Sequence, residues 1–253
     1  MRTWAVTNQK GGSCKTTTAV NLAAALGEKG RRVLVVDLDP QASASSWLGA
    51  KDGDRGLLEV FTENGNLSDL VRETDVPGVE LVPSSTWLVG AEKVLAAEPG
   101  AETLLRRALH RLPRDRWDFV LLDCPPSLGL LAVSALVAAD EVLVPVEASS
   151  MALGGLASLV QTVERVRERL NPGLELASIL VCRVDSRTRL SEDVVARLRD
   201  HFGKKVLRAV VHETVRLREA WSFSKPVTLY APKGRGAEDY RSVAAELLKR
   251  RTP

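Results

Sequence analysis

The polar residues able to do chemistry sit in a few short stretches. The stretch NQKGGSCKTTT, residues 8–18, sets Gly11 and Gly12 just ahead of a run that opens with Lys15, Thr16, Thr17 and Thr18. Paired glycines let the backbone turn its N–H groups inward, and a helix starting there adds positive potential, so the stretch is suited to phosphate. In such a loop Lys15 reaches the β- and γ-phosphates of a nucleotide, and the Thr16 hydroxyl can ligate Mg²⁺. The general pattern G-x-x-x-x-G-K-[ST] is nevertheless not met, because Gln9 and Cys14 occupy its glycine places. Two further stretches add carboxylates. VLVVDLDPQ closes an apolar run with Asp37 and Asp39, two residues apart and so on one side of an extended chain. FVLLDCPP closes another with Asp123, where a carboxylate holding the Mg²⁺ shell would stand.

Elements that could bring these stretches together alternate along the chain. TWAVTN, RRVLVVD, VELVPSS, DFVLLDCPPS, EVLVPVEAS, ASILVCRVD and KVLRAVV read as strands, several without polar alternation, as in a parallel sheet covered on both faces. KTTTAVNLAAALGEKG (ending at Gly30), LGLLAVSALVAAD, GLASLVQTVERVRERLNPG and SEDVVARLRDHFG read as helices, the last with Ser191 as N-cap. The less regular stretch from Gly49 to about Arg114 reads as helical decoration. This alternation predicts one domain over residues 1–253: a doubly wound, mostly parallel α/β sheet with helices on both faces. Ligands of such sheets lie at the carboxyl ends of the strands. The loops NQKGGSCKTTT, DLDPQAS, DCPPS, VEASSM and CRVDSRT should therefore share one rim.

Composition narrows the setting. The 253 residues are 45% hydrophobic and 26% charged, with a net charge of +3, which permits nucleic-acid contact without arguing for it. Three cysteines, Cys14, Cys124 and Cys182, have no metal-ligand spacing and fit a reducing compartment. No signal peptide and no apolar run of bilayer-spanning length is visible, so a cytoplasmic location is expected.

Lys10, Gly11, Gly12, Lys15 and Thr16 satisfy K-G-G-x-x-K-[ST], and with them the sequence resembles the ParA/Soj group of deviant Walker-type ATPases, which also includes MinD and the nitrogenase iron protein. DLDPQ, DCPPSLGLL, DSRT, VRLREA and PKGRGAEDY match further stretches expected of chromosomal ParA proteins, so the likeness runs from about Trp4 to about Tyr240. The resemblance implies ATP and Mg²⁺ as ligands. It implies nucleotide contacts from Gly11, Gly12, Ser13, Cys14, Lys15, Thr16, Thr17 and Asp123, and metal contacts from Thr16, Asp37 and Asp123. Lys10 resembles the signature lysine that crosses to the partner subunit's phosphates in an ATP-dependent homodimer, acting as an arginine finger does. Asp39 resembles the residue that positions the attacking water, and added bulk at Gly11 should obstruct the close dimer. Arg187 and Arg216 match positions that contact double-stranded DNA without sequence preference. A ParB-like partner that stimulates slow hydrolysis, and association with the nucleoid, complete the implied cycle.

Other readouts compete with DNA. The tail YRSVAAELLKRRTP carries Val243, Leu247 and Leu248 beside Lys249, Arg250 and Arg251, but it lacks a bulky aromatic anchor and reads as a last helix rather than a membrane anchor. Cys124 sits in a loop that could face a shared metal cluster, yet no second cysteine of suitable placement follows. The cargo of a partitioning ATPase, whether chromosome, plasmid or protein body, stays open. Departures from the family are informative. VHETVRL stands where many relatives have a proline-arginine-asparagine run before VRL, so the base should be lined near Arg183 and Pro232 instead. No helix-turn-helix extension precedes the phosphate loop, so a site-specific repressor is not expected. At Cys14 a small side chain suffices, while Lys15 and the helix start favour a thiolate.

Overall fold

A computed structural model of the chain describes residues 1–50, 57–62, 65–95, 98–149 and 152–250. The strands are β1 (Arg2–Val6), β2 (Val33–Asp37), β3 (Arg72–Glu73), β4 (Val79–Val82), β5 (Phe119–Asp123), β6 (Glu141–Glu147) and β7 (Glu175–Cys182). The helices are α1 (Lys15–Gly27), α2 (Ser43–Trp47), α3 (Leu57–Thr62), α4 (Leu88–Leu95), α5 (Leu104–His110) and α6 (Leu130–Ala138), then α7 (Ala152–Arg169), α8 (Arg189–Phe202), α9 (Val215–Ser222), α10 (Val227–Tyr230) and α11 (Arg235–Lys249). Every residue of β2 (VLVVD) and β5 (FVLLD) is buried, which is why these runs carry no polar alternation. The strands form one sheet in the order β3-β4-β2-β5-β1-β6-β7. All neighbours are parallel except the edge pair β3–β4. This is the doubly wound α/β architecture that the sequence predicts.

The pleat divides the side chains between two cores. Leu34, Val36, Val120 and Leu122 pack into the layer containing α3 to α8. Val33, Val35, Phe119 and Leu121 pack against α1, α2 and α9 to α11. Register then sets the site. Asp37 pairs with Asp123 at the carboxyl ends of β2 and β5, and Val6, the last residue of β1, pairs with Asp123 on the other side. The loop leaving β1 thus rises directly over two adjacent carboxylates.

The structure corrects several sequence expectations. KVLRAVV is not a strand; Val206 and His212 make only isolated bridges to Ile179 and Val184. The cause is Glu246 of α11, whose carboxylate accepts the Arg208 and Ala209 N–H groups at 3.0 and 2.8 Å and so takes donors a ladder would need. Thr188, not Ser191, caps α8, its side chain accepting from the Ser191 N–H. Helix α1 stops at Gly27, with Gly30 in the left-handed region (φ 73°) beyond it. The decoration between Gly49 and Arg114 includes the short antiparallel strand β3 beside its helices; residues 51–56, 63–64 and 96–97 of that stretch lie outside the described residues, as do 150–151 of VEASSM and 251–253 of the tail. Val243 and Leu247 of α11 are buried in the second core, so the tail's apolar side is already covered by protein. Among the described residues no helix is long and apolar enough to cross a membrane.

Candidate nucleotide site

The loop between β1 and α1 is shaped by three local choices. Asn8 Nδ2 donates to the Pro145 carbonyl of β6 at 2.7 Å, while Asn8 Oδ1 accepts the Lys10 N–H at 3.1 Å. One buried side chain thus ties the loop to the sheet and starts its turn. Gly12 has φ 72° and Cys14 φ 68°, both left-handed. The first helical bond runs from Thr18 N–H to Cys14 C=O at 2.8 Å, which leaves the N–H groups of Lys15, Thr16 and Thr17 without helical partners. A cavity of about 220 Å³ lies over the loop from Gly11 to Thr17 and is closed by Asp39, Pro126 and Arg183. Nitrogen donors and a helix start around a small polar cavity make an anion cradle.

The floor of this cradle holds the carboxylates. Asp123 is fully buried, and neither of its oxygens accepts a well-formed hydrogen bond among the described residues. Burial, and next the charge of Asp37, holds its carboxyl well above the usual range, with the approaching Thr16 hydroxyl and Lys15 pulling the other way. Lys15 is buried too, its Nζ donating to the Lys10 carbonyl at 3.3 Å. Burial depresses its basicity, and Asp123 leads the charges that resist this. Among the described residues no group of three His, Cys, Asp or Glu side chains converges as a metal cage. Mg²⁺ needs none: it takes one or two protein ligands together with phosphate oxygens and water. A bare buried carboxylate beside a threonine hydroxyl under the cradle fits that ion.

Asp37 is a different case. Its Oδ1 accepts the Asp39 N–H at 3.1 Å, and its Oδ2 accepts both the N–H and the hydroxyl of Ser45, at 2.8 and 2.7 Å. Ser45 Oγ in turn accepts the Ser84 N–H at 2.8 Å, and Ser84 Oγ donates to the Asp39 carbonyl at 2.7 Å. Burial still raises the Asp37 carboxyl to about 6, against these bonds. These three donors hold Asp37 in the DLDPQAS turn. That turn delivers Asp39 into the cradle.

Lys10 does not point into the cradle. Its Nζ donates to Glu147 Oε2 at 2.8 Å and to Ser149 Oγ at 3.4 Å. Arg183, in the left-handed region at φ 53°, holds the other Glu147 oxygen at 3.2 Å. These cations keep Glu147 below the usual carboxylate range. Glu147 lies in VEASSM, a loop the sequence places on the rim, but no pattern there singles it out.

A second cavity, about 520 Å³, shares Cys14, Thr16, Thr17 and Arg183 with the first and continues away from it between α2 and α9. Trp47, Leu217 and Trp221 give it apolar walls, so a polar cradle opens onto a half-apolar chamber. Arg183 lines this chamber; Pro232 is not among its lining residues, and the Pro232 carbonyl accepts from Arg241, which Glu28 holds at 2.6 and 2.8 Å.

Arg187 and Arg216 stand outside both cavities. Arg187, 87% exposed, pairs with Asp185 at 2.8 Å, and Arg216, 60% exposed, pairs with Glu219 at 2.8 Å. Cys124 is buried under the sheet, its thiol pushed up by burial. Cys14 is drawn down chiefly by hydrogen bonding with Cys182.

Fold and site together define a phosphate-loop domain of the class that binds nucleoside triphosphates, and a family model described as an AAA domain matches residues 1–176. The chain belongs to the ParA/Soj family of chromosome-partitioning ATPases. It is 49% identical over 250 residues to the chromosome-partitioning ATPase Soj of Thermus thermophilus, covering 99% of this chain and 96% of that protein. It is 43% identical over 250 residues to the chromosome partitioning protein ParA of Myxococcus xanthus, covering 98% and 88%. A solved structure named cobyrinic acid a,c-diamide synthase, from Mycobacterium smegmatis with a bound ATP analogue and magnesium, superposes with a TM-score of 0.86 at 37% identity, covering 98% of this chain and 95% of that one.

Proposed function

We propose that residues 1–253 form one ATPase domain that works as a DNA-partitioning switch, with ATP and Mg²⁺ as its ligands. The observation that carries this reading is the bare, fully buried Asp123 carboxylate beneath the cradle, with Lys15 and Thr16 beside it and Asp39 in the same cavity. The loop N–H groups and Lys15 hold the phosphates, and Thr16 and Asp123 hold Mg²⁺. Bound there, the ion neutralises charge developing on the transferred phosphoryl group. Asp39 orients the attacking water, its Oδ1 steadied by the Gln41 N–H at 3.0 Å. Lys10, side chain 42% exposed, leaves Glu147 and compensates phosphate charge across an ATP-bridged homodimer.

Dimerisation doubles the number of Arg187 and Arg216 side chains on one particle, so duplex DNA is held in the ATP state and released after hydrolysis. Their phosphate contacts are sequence-independent and salt-sensitive. A ParB-like partner stimulates an otherwise slow hydrolysis, and the protein works in the cytoplasm on the nucleoid. The test uses Asp39→Ala and random-sequence duplex. The variant should bind ATP, remain dimeric and stay on DNA, whereas wild type should release it as ATP is consumed. An ATP form that binds anionic vesicles and ignores duplex would replace this reading with a MinD-like one.

A further inference from the structure

The chamber next to the phosphate cradle contains a histidine that the family pattern does not supply. His212 lines it, in the VHET stretch that stands before VRL. Asp239 of α11 grips this residue twice. The His212 backbone N–H donates to Asp239 Oδ2 at 2.8 Å, and the ring Nδ1 lies 3.1 and 3.0 Å from the two Asp239 oxygens. A carboxylate accepts only, so the proton of the neutral ring sits on Nδ1 and the lone pair on Nε2. Among the described residues no hydrogen bond engages Nε2. His212 thus brings to the chamber an imidazole whose Nδ1 is held by Asp239 and whose Nε2, in the neutral ring, is left as an acceptor.

The neighbouring side chains do not duplicate this. The Thr214 hydroxyl caps α9 by accepting the Arg216 N–H at 3.3 Å. Glu213 also lines the chamber, but only its backbone N–H is held, by the Val184 carbonyl at 3.1 Å. A group positioned in advance by a supporting partner discriminates better than one free to turn away. The purine 6-position carries an amine in adenine and a carbonyl oxygen in hypoxanthine and guanine.

We propose that His212 is the specificity-determining residue for the base: Nε2 accepts a hydrogen bond from the adenine 6-amine, and Asp239 is the positioning residue that fixes the accepting tautomer. This rests on the reading of the site as an ATP site. An oxo group at the 6-position brings lone pair against lone pair and leaves Nε2 unpaired. A site built to pair a polar group rejects an analogue that cannot pair.

The test measures equilibrium binding of ATP and inosine triphosphate. Wild type should prefer ATP by roughly tenfold or more, the scale of one buried hydrogen bond made or lost. In Asp239→Asn an amide oxygen and an amide NH₂ compete for Nδ1, because both Asp239 oxygens lie within hydrogen-bond distance of it, so the ring is no longer held in one tautomer and its free edge can accept or donate. The preference for ATP should shrink toward one, whereas mere damage to the pocket would weaken both nucleotides alike. His212→Gln, which can offer either group, should bring the ratio close to one. A wild type that binds both nucleotides equally, or a ratio unmoved in either variant, overturns the role of His212 and leaves the ATP site standing. A wild type that binds neither overturns the ATP site itself.

Discussion

The ends of β2 and β5 are neighbours in register and look alike in sequence: each closes an apolar strand with an aspartate, and the two carboxylates are fully buried side by side. Their surroundings are opposite. At the end of β2, Asp37 receives the Asp39 N–H and both donors of Ser45. At the end of β5, Asp123 receives no well-formed bond among the described residues. Burying a carboxylate without donors is costly, and a fold can complete such a group when it has reason to, as Asp37 demonstrates. The difference separates a residue that makes the site's shape from one that awaits a ligand.

The largest effect expected from breaking this contrast comes from Lys15, a buried cation whose charge helps to compensate Asp123. Lys15→Ala removes a charge-assisted phosphate contact, and ATP affinity should drop by roughly 100-fold or more (~2.7 kcal/mol). Equal affinities by titration calorimetry would overturn the cradle assignment.

The carboxylates themselves should fail in different currencies. Asp37→Asn turns an NH₂ toward the Ser45 or Asp39 donors and should lower unfolding stability by about 2–3 kcal/mol, read by urea denaturation. Asp123→Asn should leave the fold at least as stable and remove the ability of Mg²⁺ to tighten ATP binding. If both substitutions cost stability alike, the contrast is wrong.

A pH series sharpens the same point without ligand. The folded carboxyl of Asp123 lies well above its ordinary value, so the native protein keeps a proton that the unfolded chain has released. That contribution to stability is complete below the unfolded value near ~4 and is lost as pH rises through the raised one. Relative to Asp123→Asn, the metal-free wild type should therefore lose stability as pH rises above about 4. A difference that is flat with pH would mean that Asp123 is solvated or paired.

How much of this was legible beforehand follows from what each signal depends on. The sheet was readable because β2 and β5 advertise two-sided burial in continuous apolar runs, and Lys15 and Thr16 because their roles are tied to a loop of fixed spacing. The division of labour between Asp37 and Asp123 was not, since it rests on Ser45 and Ser84, whose hydroxyls reach Asp37 and Asp39 only after the chain has folded back. His212 was hidden for the same reason: its partner Asp239 is 27 residues away. The segment KVLRAVV misled because its β-branched pattern ignores Glu246, which captures two of its N–H groups from another helix.

The rim beyond the cradle tests whether local pairing always means a structural role, as it does for Asp37. Arg187 and Arg216 are paired within a few residues, to Asp185 and Glu219, yet both are largely exposed, where such pairs are weak and exchange partners readily. Each should flatten the slope of log DNA affinity against log salt by roughly one unit when changed to Glu. Asp185→Asn, which frees Arg187, should shift affinity upward instead. Unchanged slopes for both arginine variants would remove them from the DNA surface.

The smallest effect is expected where a departure from pattern looked most serious. Cys14 adopts φ 68° and ψ 24°, a region that disfavours side chains by ~1–2 kcal/mol. Glycine would relieve that strain, but it also gives the unfolded chain more freedom, which takes back ~0.5–1 kcal/mol. It forfeits the Cys14 Sγ contact with the Gly12 carbonyl as well. These terms nearly cancel, so Cys14→Gly should stabilise the protein by less than ~1 kcal/mol and tighten ATP binding by well under tenfold (~1.4 kcal/mol). The cysteine survives there because the loop constrains its backbone and leaves its side chain at the junction of the two cavities. That placement supplies an independent check. Cys14 is partly accessible whereas Cys124 and Cys182 are buried, so a thiol reagent on the native protein should label Cys14 first, and phosphates seated in the cradle should shield it. Labelling of Cys14 that proceeds equally fast at saturating Mg²⁺·ATP would place the phosphates elsewhere.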